Sequence, residues 1–207
     1  MVGKMHKQLL LLICVISLSA CTGNRSSIDA HDQSARIDQN VTSSYKAADS
    51  ETEEYVSRIA KRVAMVSDRP NSNYNIEVLD TSDPILEINR ESNTVIISNG
   101  VLSNLRDEAQ LAAALTMGMA RLENSPNIDR ETAVYLSRAG YDPYAMLDLQ
   151  EQYFYAAQHG QQHWLHNLYP SAPSAGTIAA NRVMLQKLPK GLARDTDSYK
   201  NIDEEEH

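Results

Sequence analysis

The feature that most constrains this chain stands at its start. Leu9 to Leu18 read LLLLICVISL, an almost unbroken apolar run with Lys4 and Lys7 before it and Ser19-Ala20 after it. A basic opening, a short apolar stretch and a small-residue end make a secretory signal over residues 1–20. The run is too short to be a membrane-spanning helix, which needs about 20 apolar residues. The chain has two cysteines. Cys14 lies inside the part that is removed, and Cys21 stands directly after the cut. The domain that follows must therefore fold without a disulfide, and it has no thiolate to spare for catalysis or metal binding.

Leu18-Ser19-Ala20-Cys21 resembles the lipobox of bacterial lipoproteins. The resemblance implies lipidation at Cys21, with a diacylglyceryl thioether on sulfur and a fatty acyl group on the new amino end. Two or more chains make a stable membrane anchor where one holds only marginally. Thr22 follows in place of the aspartate that retains enterobacterial lipoproteins at the inner membrane, which points to the outer membrane, facing the periplasm. Loss of the leader removes two lysines and no acid, so the net charge moves from −8 to −10. An acidic surface of this kind argues against nucleic acid as a partner. The remaining length suits one domain with a real core.

Residues 21–48 are rich in Ser, Asn, Asp and Gln without a helical or strand period, and read as a flexible tether. Residues 189–207 are acidic and equally aperiodic, and read as a solvated tail. The domain is expected over 49–188. Tyr55, Ile59, Val63 and Val66 repeat at helical spacing, so a helix is expected from about Ser50 to Ser67. Tyr74, Ile76 and Val78 alternate with polar residues, as a strand does. Ile85–Ile88 and Thr94–Ile97 flank a polar turn and predict a β-hairpin, and Asn99-Gly100 is a further turn signal. A long helix is expected over Asp107–Glu123 with Leu111, Leu115, Met119 and Leu122 on one face, then helices over Asp129–Ala139, Pro143–Gln158 and Ser174–Leu188. Early strands and later helices predict an α+β domain, mainly helical, with a small antiparallel sheet.

On these elements the chain resembles the HtpX-type zinc metallopeptidases. The likeness is carried by Asp107-Glu108-Ala109-Gln110-Leu111-Ala112-Ala113-Ala114-Leu115, by Arg138-Ala139-Gly140-Tyr141-Asp142-Pro143 and by Tyr169-Pro170-Ser171-Ala172-Pro173. It implies a metallopeptidase-like fold with the sheet packed on the long helix, which in the family carries H-E-x-x-H. Two histidines at that spacing share a helix face and bind zinc, and the glutamate is the general base. The matching positions here are Met117, Gly118 and Arg121. A thioether and a guanidinium are no substitute for two imidazoles, and glycine moves no proton. The family's third ligand falls on Asn127, its companion aspartate on Asp129, and its late histidine on Tyr169. The resemblance thus implies a scaffold with no catalytic residues, no metal ligands and no cofactor.

Other residues were weighed for chemistry. His159, His163 and His166 form H-x3-H-x2-H, a spacing that suits zinc on a helix, with Glu131 as a conceivable fourth ligand. Gly160 interrupts the segment, and exposed histidines are the plainer reading. Tyr141, Tyr144, Tyr153, Phe154, Tyr155 and Trp164, with Met65, Met117, Met119 and Met146, read as core. In the family, substrate adds as a strand beside the sheet. That makes the hairpin residues Ile85, Leu86, Glu87, Ile88, Thr94, Val95, Ile96 and Ile97 the candidate peptide-binding site. The expected function is a non-catalytic adaptor or chaperone-like lipoprotein that binds envelope proteins or unfolded peptides. The alternatives are an active zinc endopeptidase with unorthodox ligands and a structural subunit of an envelope assembly.

Overall fold

The computed structural model describes residues 45–190 and 192–195. The leader, Cys21 and most of the tether lie outside these residues, as does the tail from 196 onward. The domain is α+β. Helix α1 (Ser50–Ala64) is followed by strands β1 (Asn75–Leu79), β2 (Leu86–Asn89) and β3 (Thr94–Ser98). Then come a short helix α2 (Asn99–Leu102), the long α3 (Glu108–Leu122), α4 (Ile128–Ala139), α5 (Tyr144–Gln158), a 3₁₀ turn (Trp164–Asn167) and α6 (Ala175–Leu185). No helix among the described residues is long and apolar enough to cross a membrane.

Local chemistry explains most boundaries. Asp49 caps α1 by accepting from the amides of Glu51 and Thr52, and Thr52, Tyr55, Val56, Ile59, Ala60 and Val63 form its buried stripe. Asn89 accepts from the amides of Glu91 and Ser92, and Asn93 takes a left-handed conformation at φ 53°, which closes the β2–β3 turn. Gly140, at φ 89°, ends α4 where a side chain would be strained. Asn99-Gly100 is not a turn. Ser98 accepts from the amide of Val101 and so caps α2, which begins where the strand ends.

The sheet is mixed rather than antiparallel, in the order β1-β3-β2, with β1 parallel and β2 antiparallel to β3. The reason lies in the apolar run at β3. All five of its residues are buried, and the strand sits between the two that have something polar to show. One face gathers Ile76, Val78, Val95, Ile97, Leu86 and Ile88 by register, and Val95 meets α3. Fourteen of the fifteen residues of α3 are buried, Arg121 being the exception. Thus the helix has no solvent face: it packs against α1, α4, α5 and the sheet at once.

Two stretches read as tether and tail belong in part to the domain. Ala47 pairs with Leu79, Ala48 N donates to Val78 O at 2.9 Å, and Asp80 N donates to Lys46 O at 2.8 Å, so residues 46–48 extend the sheet beyond β1. At the other end, Ala193 pairs with Tyr141, and Arg194 enters a ring of aspartates. Its guanidinium reaches Asp107 at 2.8 Å, Asp142 at 3.0 Å and Asp148 at 2.7 Å, while its carbonyl accepts from Ala109 N at 3.1 Å. One residue thereby ties α5 and the α4–α5 turn to the first turn of α3, where an amide would otherwise lack an acceptor. Local sequence holds no sign of this, because an isolated arginine in an acidic stretch looks solvated.

We expect Arg194→Ala to lower stability by about 1–3 kcal/mol, since it strands a buried Asp107 as well as losing charged bonds. Arg194→Lys should restore only part of this, because one ammonium does not span three carboxylates. The midpoint of urea unfolding reads both effects.

Candidate functional site

The positions matched to the zinc site lie on α3, on the start of α4 and on the chain around Tyr169. Met117 and Arg121 stand one turn apart on α3, hence on one face. Met117 is wholly buried in the apolar core, and Arg121 is partly exposed at the end of the helix. Gly118 lies against the sheet: a Cβ added there would stand 2.9 Å from Cγ1 of Val95 and 3.2 Å from its Cγ2. The space in which a general base would begin is taken by the close approach of β3. Asn127, just before α4, is exposed and its side chain does not cap the helix.

Asp129 and Tyr169, forty residues apart, do come together. The Tyr169 hydroxyl donates to Asp129 Oδ1 at 2.9 Å, and Asn181 Nδ2 of α6 donates to Asp129 Oδ2 at 2.8 Å and to Gln150 Oε1 of α5 at 2.9 Å. Burial raises the Tyr169 phenol well above its ordinary pKa, the Asp129 carboxylate pushes the same way, and Arg121 pulls weakly against them. The phenol therefore stays protonated and donating. Asn181 and Gln150 drew no attention as sequence, being single amides in helices with no motif. Both oxygens of Asp129 accept from neutral donors, so the group works as a clasp between α4, α5, α6 and the Tyr169 segment. Met117, Arg121 and Asn127 offer a metal no imidazole, thiolate or carboxylate.

The three late histidines do not converge either. His159 Nδ1 bonds Tyr155 O at 2.8 Å and its ring lies against Tyr155, whereas His166 Nδ1 bonds His163 O at 2.7 Å. His163 caps the 3₁₀ turn by accepting from Leu165 N at 3.2 Å and stacks on Tyr153 and Trp164. Each ring spends its Nδ1 locally. No group of three metal-ligating side chains occurs among the described residues. Of the aromatics and methionines read as core, Tyr155 and Met65 are 62% and 68% exposed, and the rest are buried or partly buried.

For the hairpin, register decides which backbone is open. Thr94, Val95, Ile96 and Ile97 are in the central strand, flanked by strands on both edges, so they have no edge to offer a peptide. Ser98 N donates to Ile85 O, which makes that pair, and therefore Glu87–Ile96, the hydrogen-bonded ones. Leu86 and Ile88 consequently aim their main-chain groups away from β3. Leu86 is fully buried, with the 3₁₀ turn close by and Asn167 reaching Glu87 at 3.4 Å. Ile88 and Asn89 are partly exposed and form the open end of β2.

No protein-family model matches this chain, and no curated protein matches it.

Two outcomes follow from this geometry. Gly118→Glu should cost about 1–3 kcal/mol by overpacking against Val95, read as a drop in thermal midpoint. The second concerns His163, whose pKa is lowered from 6.5 to about 4, first by burial and then by His166. The unfolded chain therefore binds a proton between these values that the folded chain refuses. The contribution of His163 to stability is complete above about pH 6.5 and is lost as pH falls toward 4. His163→Gln should flatten that part of the stability–pH curve, and unfolding followed from pH 7 to 4 checks it.

Proposed function

We propose that this chain is a lipid-anchored, non-catalytic relative of the HtpX-type metallopeptidases that binds extended segments of envelope proteins as an adaptor or chaperone. Its place would be the periplasmic face of the outer membrane, held there through Cys21. The observation that carries the reading is the clasp at Asp129. Two positions matched to the family's site, Asp129 and Tyr169, meet across forty residues of chain, yet they bond each other and Asn181. A chain selected for hydrolysis needs an open ligand position and a base, and the Val95 side chain lies where that base would start. What is left for function is binding, and an edge strand accepts polypeptide through its main chain.

The open stretch of β2 is short, and that favours one second reading, a structural subunit with a single fixed partner. The two separate by experiment. The purified full chain should bind an unfolded reporter peptide without cutting it and carry no stoichiometric zinc. Ile88→Pro should weaken that binding by about tenfold, since it removes an outward donor while the β2–β3 bonds stay in place. Zinc-dependent cleavage that a chelator abolishes would overturn the proposal. Crosslinking to one constant partner, with no peptide binding, would favour the structural subunit.

A further inference from the structure

A cleft of about 600 Å³ lies between the later half of α5, the segment before α3 and residues 161–164. That volume is within the range of roughly 300–1,000 Å³ typical of small-ligand sites. None of its lining residues belongs to a strand, so it offers no edge for peptide addition. Its contents are of two kinds. Tyr155 supplies a broad aromatic surface that is 62% exposed, with the His159 ring 4.0 Å away to hold its plane. Gln152, Gln161 and Gln162 supply side-chain amides that bond to nothing among the described residues. Trp164, 5% exposed, closes the wall.

Charge in the cleft is already spoken for. Asp148 is shared by Arg106 at 3.1 Å and Arg194 at 2.7 Å, and Glu151 pairs with Arg182 at 2.5 Å. These pairs leave little uncompensated charge in the cleft to draw an ionic ligand. A carboxamide carries two donors and an acceptor, which matches hydroxyl groups that both donate and accept. An aromatic face, negative at its centre, attracts the slightly positive C–H edge of a saturated ring. We propose that this cleft binds a neutral carbohydrate chain, one sugar ring stacking on Tyr155 and its hydroxyls bonding the glutamine amides. The cleft shares no lining residue with the Asp129 clasp or with β2, so a carbohydrate-binding role is tested apart from the peptide-binding one.

The chain has one tryptophan, and it lines this cleft, so its emission reports on binding there. The full chain is titrated with maltotetraose, cellotetraose and N-acetylchitotetraose, followed by Trp164 emission and by calorimetry. At least one should give a saturable emission change. Tyr155→Ala and Gln162→Ala, both at exposed positions, should each weaken it by tenfold or more, on the order of 1.4 kcal/mol, while circular dichroism is unchanged. Absence of both heat and emission change with all three sugars would overturn the proposal. So would binding that survives both substitutions, or an unfolded peptide that shifts Trp164 emission where the sugars do not.

Discussion

Everything in this domain depends on a helix with no side left for water. From Glu108 to Leu122 every residue but Arg121 is buried, so α3 is stable only when every neighbour is in place. Ala112, Ala113, Ala114 and Gly118 make this possible by letting helices and sheet approach the α3 backbone. Small residues contribute little burial each. Leu111, Leu115 and Met117, each fully buried, contribute about 1.5–3 kcal/mol apiece and anchor the approach. Since no neighbour buries α3 alone, loosening one of them loosens the others' reason to stay.

The start of α3 is held by polar groups rather than by apolar contact. Asp107 caps the first turn by accepting from Gln110 N at 2.8 Å, and the Gln110 side chain reaches back to Arg106 N at 2.9 Å. Glu108, 7% exposed, accepts from the hydroxyls of Tyr55 and Tyr141, with Arg62 3.8 Å away. A carboxylate so buried is tolerable only because donors surround it. Burial, and then the bonded carboxylate, push both phenols above their ordinary range, so they remain donors at any physiological pH. Arg194 completes the set from the far end of the chain. The acids at the start of α3 are thus structural, and the stretch Asp107–Leu115 has a physical use here that requires no metal.

How much of this was legible in the sequence depends on whether its cause is local. Helix starts at Asp107 and Asp142-Pro143, the stop at Gly140 and the turn at Asn89–Asn93 follow from residues within one or two turns, and they stand where the residue pattern puts them. Sheet order was out of reach, because alternation reports faces and says nothing of neighbours. The continuous run Thr94-Val95-Ile96-Ile97 did carry a clue, since a strand buried on both faces is usually central. The spacing of the late histidines suggested convergence, but three local bonds use their Nδ1 atoms first.

By itself the sequence determined the α+β class, the five longer helices and the lack of imidazoles at positions 117 and 121. Each of these is set by neighbours along the chain or by which side-chain chemistry is present at all. Only the tertiary structure decided that β3 lies between β1 and β2, that Asp129 is clasped by Tyr169 and Asn181, and that Arg194 belongs to the core rather than the tail. The clasp and the Arg194 ring join groups forty to eighty-seven residues apart, and even the sheet pairs Asn75 with Thr94 across nineteen. Their pairing becomes favourable only after α3 has gathered its neighbours, when low dielectric and fixed geometry make a buried carboxylate take whatever donors are within reach.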